Sequence, residues 1–439
     1  MTVSALTFSL DSQIAWGAAG KAVLGDPAER QRLYAARLKA LHVVVKTGAE
    51  GGTDPVALAQ NAWAYPTHSR SRYTFVLDAY RLGARLCQAH HVDVISSQDP
   101  IATGLVAYLL SRRFGKPLNV QVHFDVLDNP YWVGERSEHR LLNAIGKWLI
   151  RRADTIRVGT SREVERFASW GIPAERIFVA PVPVDLGQFR QPPSGSQDSE
   201  TNIHRPTVLN ASRLVPQKDL QTLLRAARKV TAYRPDVQFV IAGDGPQREG
   251  LEAQVEDLGL GGNVRLLGRI DHKEMPRLLA SADLLAVSSV YEGTSLVTVQ
   301  AAAAGKPVVT TNVAGAADTV KDGETGRVVP IGDVDALANA ILEVLSDSDR
   351  AARMGAAGQA HVCERFERDK CVEQVVEMWR RTAELGAKQT RHSSPFTDHS
   401  PRWLYLANVR VPSEKAHVYQ IFQMLDVFRA AGVEVTLAY

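Results

Sequence analysis

The sequence predicts an α/β fold with two doubly wound parallel-sheet domains that face a cleft. From residue 207 onward, short β-branched runs bounded by Gly, Pro or Asn alternate with segments of helical period, which is the pattern of successive βα units. The first half repeats this alternation less regularly. Between the halves, residues 190–206 are rich in Pro, Ser and polar residues without periodicity, so we place a linker there.

Each half contains six predicted strands. Those of the first half are residues 5–10, 40–46, 92–97, 118–124, 155–160 and 176–181, and those of the second half are residues 207–211, 237–242, 263–268, 283–289, 307–311 and 326–330. In open α/β sheets, ligands bind outside the carboxyl ends of the strands. We therefore expect a site in the loops that follow the strands, in both halves.

The composition is that of a soluble globular protein with a nearly neutral charge. Hydrophobic residues make up 45% and charged residues 23% of the 439 residues, which excludes disorder and fibrous structure. Lys and Arg (51) nearly balance Asp and Glu (48), so no nucleic-acid partner is indicated. The three cysteines include no C-x-x-C pair and predict neither disulfides nor a thiolate metal site. Without a signal-peptide pattern or a membrane-length apolar stretch, we expect a cytoplasmic location.

The turn after the fourth strand of the second half is a candidate anion site. It consists of Glu292, Gly293, Thr294 and Ser295 and leads into an Ala-rich helix. Free N–H groups and the dipole at a helix N-terminus favour a negative charge. Gly293 would let a phosphate approach the backbone closely. A well-capped βα turn without a ligand is the alternative.

Two cations emerge from another strand end of the same sheet. Arg213 and Lys218 follow the first strand of the second half, in the segment NASRLVPQKDL. Two cations that face a helix N-terminus would suit a diphosphate, since Arg binds it as a planar fork and Lys as a mobile point charge. A solvated pair of charges is the alternative.

The second half resembles the nucleotide-sugar-binding half of a family 4 retaining glycosyltransferase of the GT-B fold. The resemblance rests on SRLVPQKDL, VQFVIAGDGPQREGLE, NVRLLGRIDHKEMPRLLASADLLAVSSVYEG and AAAAGKPVVTTNVAGAADTVKDGETGRVVP, and it extends over about residues 1–387. It implies two Rossmann-like domains and transfer of a sugar, with retention, from a nucleoside diphosphate sugar (UDP- or GDP-linked) to a glycan or lipid-linked acceptor. It implies no bound metal ion and no cofactor, and it suggests a role in cell-surface polysaccharide biosynthesis.

The resemblance also implies roles for individual residues. Arg213 and Lys218 would hold the diphosphate, and Glu292 would contact the donor sugar or its phosphates. His123, at the end of the strand LNVQVHF, would contact the donor sugar, with a purely structural histidine as the alternative. The remaining implied donor-side residues are Gly268, Arg269 and Ile270 beside the base and Gly293, Thr294 and Ser295 in the turn.

One position departs from the family pattern. The pattern is E-x7-E, but Gln300 stands eight residues after Glu292. The second Glu usually accepts hydrogen bonds from the ribose hydroxyls, and Gln keeps an acceptor oxygen but carries no charge. We expect a Gln in place of Glu at position 300 to affect the affinity for the donor and the choice of nucleotide. A nucleotide-sugar-binding relative without catalysis is therefore one alternative function, and a nucleotide-sugar epimerase of the same fold is another.

The sequence gives fewer indications of where the acceptor binds. The first strand is followed by DSQIAWGAAG instead of a Gly-rich loop. We name Asp11, Trp16 and Gly17 as candidate wall residues, together with Asp125 after His123. Residues 136–152 form a basic amphipathic helix, for which packing on the first sheet and peripheral contact with the inner face of the membrane are the two interpretations.

The motifs give the following domain assignment. Residues 1–189 form the acceptor-side domain, 190–206 the linker, 207–363 the nucleotide-sugar domain, 364–387 a helix that crosses back, 388–401 a second linker and 402–439 a partial β-α-β unit. This last unit resembles the start of a second transferase, so the chain is either a piece of a tandem transferase or carries a tail that docks elsewhere.

Two motifs resemble known binding sites, but we do not interpret them as such sites. The segment GDGPQREG (243–250) begins like a dinucleotide-binding loop, but the third glycine position is Arg248. The triplets Asp333–Asp335 and Asp347–Asp349 flank predicted helix ends, so we expect them to cap helices and not to bind a metal ion.

Overall fold

The computed structural model describes residues 2–19, 27–48, 54–190, 205–392, 404–406 and 435–437. It contains one eight-stranded sheet in the first half of the chain and one six-stranded sheet in the second half. Helices cover both faces of each sheet, and a cluster of buried hydrophobic side chains lies between each sheet face and its helices. The predicted fold class is confirmed.

The first sheet has the order β3-β4-β2-β1-β5-β6-β7-β8. Its strands are β1 (Ser4–Ser9), β2 (Ala40–Val45), β3 (Val56–Ala59), β4 (Ala62–Pro66), β5 (Val94–Ser97), β6 (Leu118–Val122), β7 (Thr155–Val158) and β8 (Ile177–Val179). All neighbours are parallel except β3 and β4. The sequence did not predict this β3–β4 pair, whose strands are short and only partly buried.

Eight helices belong to the first half, among the residues that the structure describes. They are α1 (Gln13–Ala18), α2 (Pro27–Ala35), α3 (Arg72–Ala89), α4 (Ala102–Phe114), α5 (Pro130–Glu135), α6 (Ser137–Arg152), α7 (Ser161–Ser169) and α8 (Gly187–Arg190). The basic helix α6 buries Ile145, Leu149 and Ile150 in the core of the first half. Its membrane contact stays a prediction.

The second sheet is parallel throughout and has the order β11-β10-β9-β12-β13-β14. Its strands are β9 (Thr207–Ala211), β10 (Gln238–Ala242), β11 (Val264–Gly268), β12 (Leu284–Val287), β13 (Val308–Thr311) and β14 (Gly326–Val329). The chain leaves the middle of the sheet in one direction after β9 and in the other after β12. Such a reversal of strand order opens a crevice at the carboxyl ends of the two strands.

The helices of the second half include the one that returns to the first sheet. They are α9 (Leu220–Tyr233), α10 (Arg248–Asp257), α11 (Met275–Ser281), α12 (Leu296–Ala303), α13 (Ala316–Thr319), α14 (Val334–Ser346), α15 (Ser348–Arg365) and α16 (Arg368–His392). Asp333 and Asp347 accept hydrogen bonds from Ala336 N and Arg350 N, both at 2.9 Å, so each caps a helix as expected.

The returning helix α16 packs on the first sheet. Val375, Val376 and Trp379 lie in the same cluster as residues of β1 and β2. The Oγ1 atoms of Thr382 and Thr155 are 2.6 Å apart. The sequence predicted one helix over residues 364–387, but α15 ends at Arg365 and α16 begins three residues later. The Phe366 side chain at this break is buried in the second half.

Two features concern the ends of the assigned domains. Val184, Leu186 and Phe189 pack in the core of the second half, although the sequence placed residues up to 189 in the first domain. Near the end of the chain, β15 (Leu404–Leu406) and β16 (Val435–Leu437) pair in parallel with each other. The helix predicted between them lies outside the described residues.

Candidate active site

Lys218 and Glu292 form an ion pair at the crevice of the second sheet. Lys218 follows β9 and Glu292 follows β12, the two strands on either side of the reversal. The Lys218 Nζ donates to Glu292 Oε1, and the two side chains are only 14% and 9% exposed. The Ser289 hydroxyl donates to the same carboxylate oxygen at 2.6 Å. The side chains of Lys218 and Glu292, which were predicted to follow two strand ends of the same sheet, are therefore in direct contact.

Hydrogen bonds between the two loops fix this pair. Gln217 Nε2 donates to Tyr291 O at 2.8 Å, and Val290 N donates to Gln217 O at 2.9 Å. The Ser288 hydroxyl donates to Lys218 O at 2.8 Å. The loops after β9 and β12 thus form one unit.

The turn after β12 packs against the backbone of the first half. A Cβ atom at Gly293 would lie 2.3 Å from His123 O, so only glycine fits there. The Thr294 hydroxyl donates to Gly159 O at 3.2 Å. Ser295 begins α12 without a side-chain capping bond. The close approach that Gly293 allows in this structure is to a peptide group of the other half, and the predicted approach of a phosphate stays a prediction.

Arg213 is exposed and lies near Tyr291, the residue before Glu292. Within the described part of the chain, its guanidinium forms no hydrogen bond or ion pair, and its positive charge acts on Tyr291. The Tyr291 hydroxyl donates to Glu135 Oε2, on the first half, at 3.2 Å. Burial and the negative charge of Glu135 raise the pKa of Tyr291 to about 12, so this phenol keeps its proton. Arg213 is thus a cation with room for an anionic ligand.

The residues predicted beside the base lie at the same edge of the sheet. Gly268 ends β11 with φ of +77°, a conformation that favours glycine. Its carbonyl accepts from Gly243 N at 2.8 Å. Arg269 is exposed and Ile270 is partly buried. One strand, β10, separates β11 from β9, so this stretch lies two strands away from Lys218.

Gln300 lies on α12 with 7% of its surface exposed. Its side-chain amide forms no hydrogen bond with any residue that the structure describes. The oxygen and nitrogen of this amide are thus available to a ligand that reaches α12.

His123 directly follows β6 and faces the donor turn through its backbone carbonyl. Burial, together with the positive charges of Arg157 and Arg30, lowers the pKa of His123 well below its usual range. The imidazole is therefore neutral at neutral pH and can donate one hydrogen bond without carrying a charge.

The candidate acceptor-side residues divide into two groups. Trp16 is 39% exposed on α1, which also contains Gly17, and Asp11 accepts from Gln13 N at 3.1 Å just before that helix. Asp125 is only 4% exposed and is paired with Arg166. The Asp125 carboxylate thus points into the first half and not toward the crevice.

Sequence reasoning missed the contacts that join the two halves. Ser161 N and its hydroxyl both donate to the Asp318 carboxylate at 2.9 Å, and Arg162 donates to Asn312. Asp318 is buried and also binds Arg365. A buried acidic residue in the short segment before β14 is a weak signal, and nothing in the sequence indicates its partner 157 positions away.

Two family models match the chain. The Glycosyl transferase 4-like domain matches residues 27–183, and Glycosyl transferases group 1 matches residues 195–361. Alpha-D-kanosaminyltransferase of Streptomyces kanamyceticus is 31% identical over 268 residues, which are 58% of this chain and 67% of that protein. The chain belongs to the family 4 glycosyltransferases. The resemblance predicted from the sequence is confirmed.

A second relative of this family 4 chain is a mannosyltransferase. The GDP-mannose-dependent alpha-(1-6)-phosphatidylinositol monomannoside mannosyltransferase of Mycobacterium tuberculosis is 34% identical over 237 residues, 52% of this chain and 62% of that protein. The match thus spans less than two thirds of the relative's length.

Solved structures show that this family 4 member has the GT-B fold. Sucrose-phosphate synthase from Thermosynechococcus elongatus superposes with a TM-score of 0.73 at 21% identity over 87% of this chain and all of that one. Anabaena HepE in complex with UDP superposes with a TM-score of 0.65 at 20% identity over 86% of this chain and all of that one.

The described residues contain neither a cluster of metal-ligating side chains nor a helix of membrane-spanning character. No three His, Cys, Asp or Glu side chains there are grouped so that they would hold a metal ion. No helix there is both long and apolar enough to span a bilayer.

Proposed function

We propose that the protein transfers a hexose from a nucleoside diphosphate sugar to an acceptor hydroxyl, with retention and without a metal ion. The observation that carries the proposal is the Lys218–Glu292 pair at the crevice of the second sheet, opposite the His123 carbonyl of the first. Arg213 supplies a second cation near Tyr291. Such a site can neutralise a leaving diphosphate without a metal ion.

In this proposal the donor enters between the two sheets. Arg213 and Lys218 bind the diphosphate, Glu292 and neutral His123 hold the sugar, and Gln300 faces the ribose. The bond from the anomeric carbon to the phosphate oxygen breaks as the acceptor oxygen bonds to the same face of that carbon. The acceptor proton passes to the departing phosphate. The chain supplies position and charge stabilisation and no covalent nucleophile.

The relatives suggest GDP-mannose as the first donor to test. The mannosyltransferase relative is GDP-mannose-dependent by name, while HepE was solved with UDP. Both nucleotides carry the diphosphate that Arg213 and Lys218 would bind. The base and the sugar are therefore to be decided by a donor series that includes GDP- and UDP-linked sugars.

The acceptor in this proposal is amphipathic. Large apolar side chains are exposed in the segments that follow β1 and β6, at the carboxyl edge of the first sheet: Leu10, Trp16, Phe124 and Tyr131. Such side chains suit the apolar part of a lipid-linked acceptor or the face of a sugar ring. Exposed arginines on α6, including Arg140 and Arg151, would favour an anionic membrane surface nearby.

A transfer assay tests this function. The protein is incubated with each donor and with lipid-linked or short-chain glycan acceptors, and products are identified by mass spectrometry and by the NMR coupling of the new anomeric proton. We expect a glycoside with the donor's anomeric configuration, formed in the presence of a chelator. An inverted product, or a loss of activity with the chelator, would contradict the mechanism. Nucleotide release with an epimerised free sugar would instead support the epimerase.

A further inference from the structure

We infer that Arg166 is a positioning residue that sets where His123 lies against the donor turn. The inference rests on the proposed function and adds a residue that no motif indicates. Arg166 lies on α7, and its Nη1 donates both to Asp125 Oδ1 and to Leu127 O, the latter at 2.7 Å. One guanidinium nitrogen thus binds the loop that follows β6 at two points.

The bound loop is the one that begins with His123. Asp125 Oδ2 accepts from Asn129 Nδ2 at 2.9 Å, and Asn129 in turn caps α5. The Asp125 side chain is therefore held at both oxygens, by α7 and by the start of α5. Because only Phe124 separates Asp125 from His123, this ion pair fixes the place where the chain leaves β6.

A second side chain of α7 fixes the next loop. Glu163 is 1% exposed, and its Oε2 accepts from Gly159 N, Thr160 N and the Thr160 hydroxyl at 3.1 to 3.3 Å. The carbonyl of Gly159 accepts from Thr294 of the donor turn. One helix thus holds, three residues apart, both loops of the first half that contact this turn.

The charges of the cluster support this arrangement. Arg166 faces two buried carboxylates, Asp125 and Glu163, and Glu163 Oε1 has no hydrogen-bond partner among the residues that the structure describes. Burial and the negative charge of Asp125 raise the pKa of Glu163 to about 7. Arg166 donates to Asp125 and to Leu127 O, and among the described residues no hydrogen bond joins it to Glu163. Arg166 therefore acts on the His123 loop.

The test compares Arg166→Met and Asp125→Asn with the control Arg381→Met, which breaks an exposed ion pair on α16. We expect the first two to lower kcat about tenfold to a hundredfold, because a small misplacement of a site residue has effects of that size. The donor KM should rise by less than kcat falls, since His123 is one of the groups that hold the sugar whereas Lys218 and Glu292 lie on the other sheet. Arg166→Lys should recover part of kcat, and the double variant should be no slower than the slower single variant.

Three results would overturn the inference: kcat as in Arg381→Met, a donor KM that rises in step with the loss of kcat, or losses that multiply in the double variant. If the wild type transfers no sugar, the proposed function fails, and amide hydrogen exchange decides the inference separately. Faster exchange at residues 123–127 and 293–295 in Arg166→Met than in Arg381→Met would support the positioning role. Equal exchange would overturn it.

Discussion

Gln300 is the residue at which this chain departs from its family pattern, and its buried side-chain amide forms no hydrogen bond with the described residues. A glutamate there would accept from ribose hydroxyls with a charge-assisted bond, which is about twice as strong as a neutral one. We expect Gln300→Glu to tighten nucleotide binding by about threefold to tenfold, as measured by calorimetry. Unchanged affinity for every nucleotide tested would show that Gln300 does not face the ribose.

Two buried titratable residues make opposite contributions to stability between pH 4.5 and 6.5. Burial and the charge of His90 lower the pKa of His42 from 6.5 to about 4. The unfolded chain thus binds the proton more readily, and stability is lost as the pH falls. The pKa of Glu163 is raised from 4.5 to about 7, so its contribution is present at acid pH and is lost as the pH rises.

Single substitutions should separate these two contributions. Relative to the wild type, the free energy of unfolding of Glu163→Gln should rise more steeply from pH 4.5 to 6.5, by about 2 kcal/mol over the range. Relative to the wild type, the free energy of unfolding of His42→Gln should fall over the same pH range by a similar amount. Urea unfolding at several pH values measures both. If both variants parallel the wild type, the two groups do not titrate in this range.

At the scale of elements, the turn between β12 and α12 is one of the places where the two halves are in direct contact. The Cβ atom of Gly293→Ala would collide with the His123 carbonyl, so the variant must move the turn or the loop after β6. We expect transfer to fall by about a hundredfold while each half stays folded. Gly250→Ala on α10 is the control, because its Cβ atom would meet nothing within 4 Å. Full activity in Gly293→Ala would contradict the contact.

The sequence predicted elements better than their contacts. All six strands of the second sheet were predicted because each is a short run rich in apolar residues between turn residues, and their order follows from βα connections. The β3–β4 pair was missed because its strands are short and half-exposed, without a two-residue turn signal. The break before α16 was missed because helical periodicity continues through Phe366.

The candidate site was predictable where charged residues follow the ends of neighbouring strands. Lys218 and Glu292 were found in this way, since neighbouring parallel strands bring their carboxyl ends together. The sequence did not indicate that the Asp125 carboxylate is buried against Arg166, because Arg166 lies on α7, 41 positions away. The same is true of Ser161 and Asp318, whose contact depends on how the two halves meet.

At the scale of the whole molecule, α16 joins the second half to the first sheet and the last described strands pair only with each other. Removal of residues 393–439 should therefore leave the melting temperature within about 2 °C and leave transfer unchanged. Calorimetry and the transfer assay check this expectation. A large loss of either would show that the tail is integral to the enzyme.

The central claim is that the crevice between β9 and β12 binds the diphosphate of a nucleotide, and calorimetric titration with GDP, UDP and ADP tests it most directly. The wild type should bind one of these nucleotides, and Lys218→Ala should weaken that binding by about tenfold or more, as expected for the loss of a charge-assisted bond. Lys229→Ala, which removes an exposed lysine of α9, should bind as the wild type does. No binding by the wild type, or equal binding by Lys218→Ala, would contradict the claim.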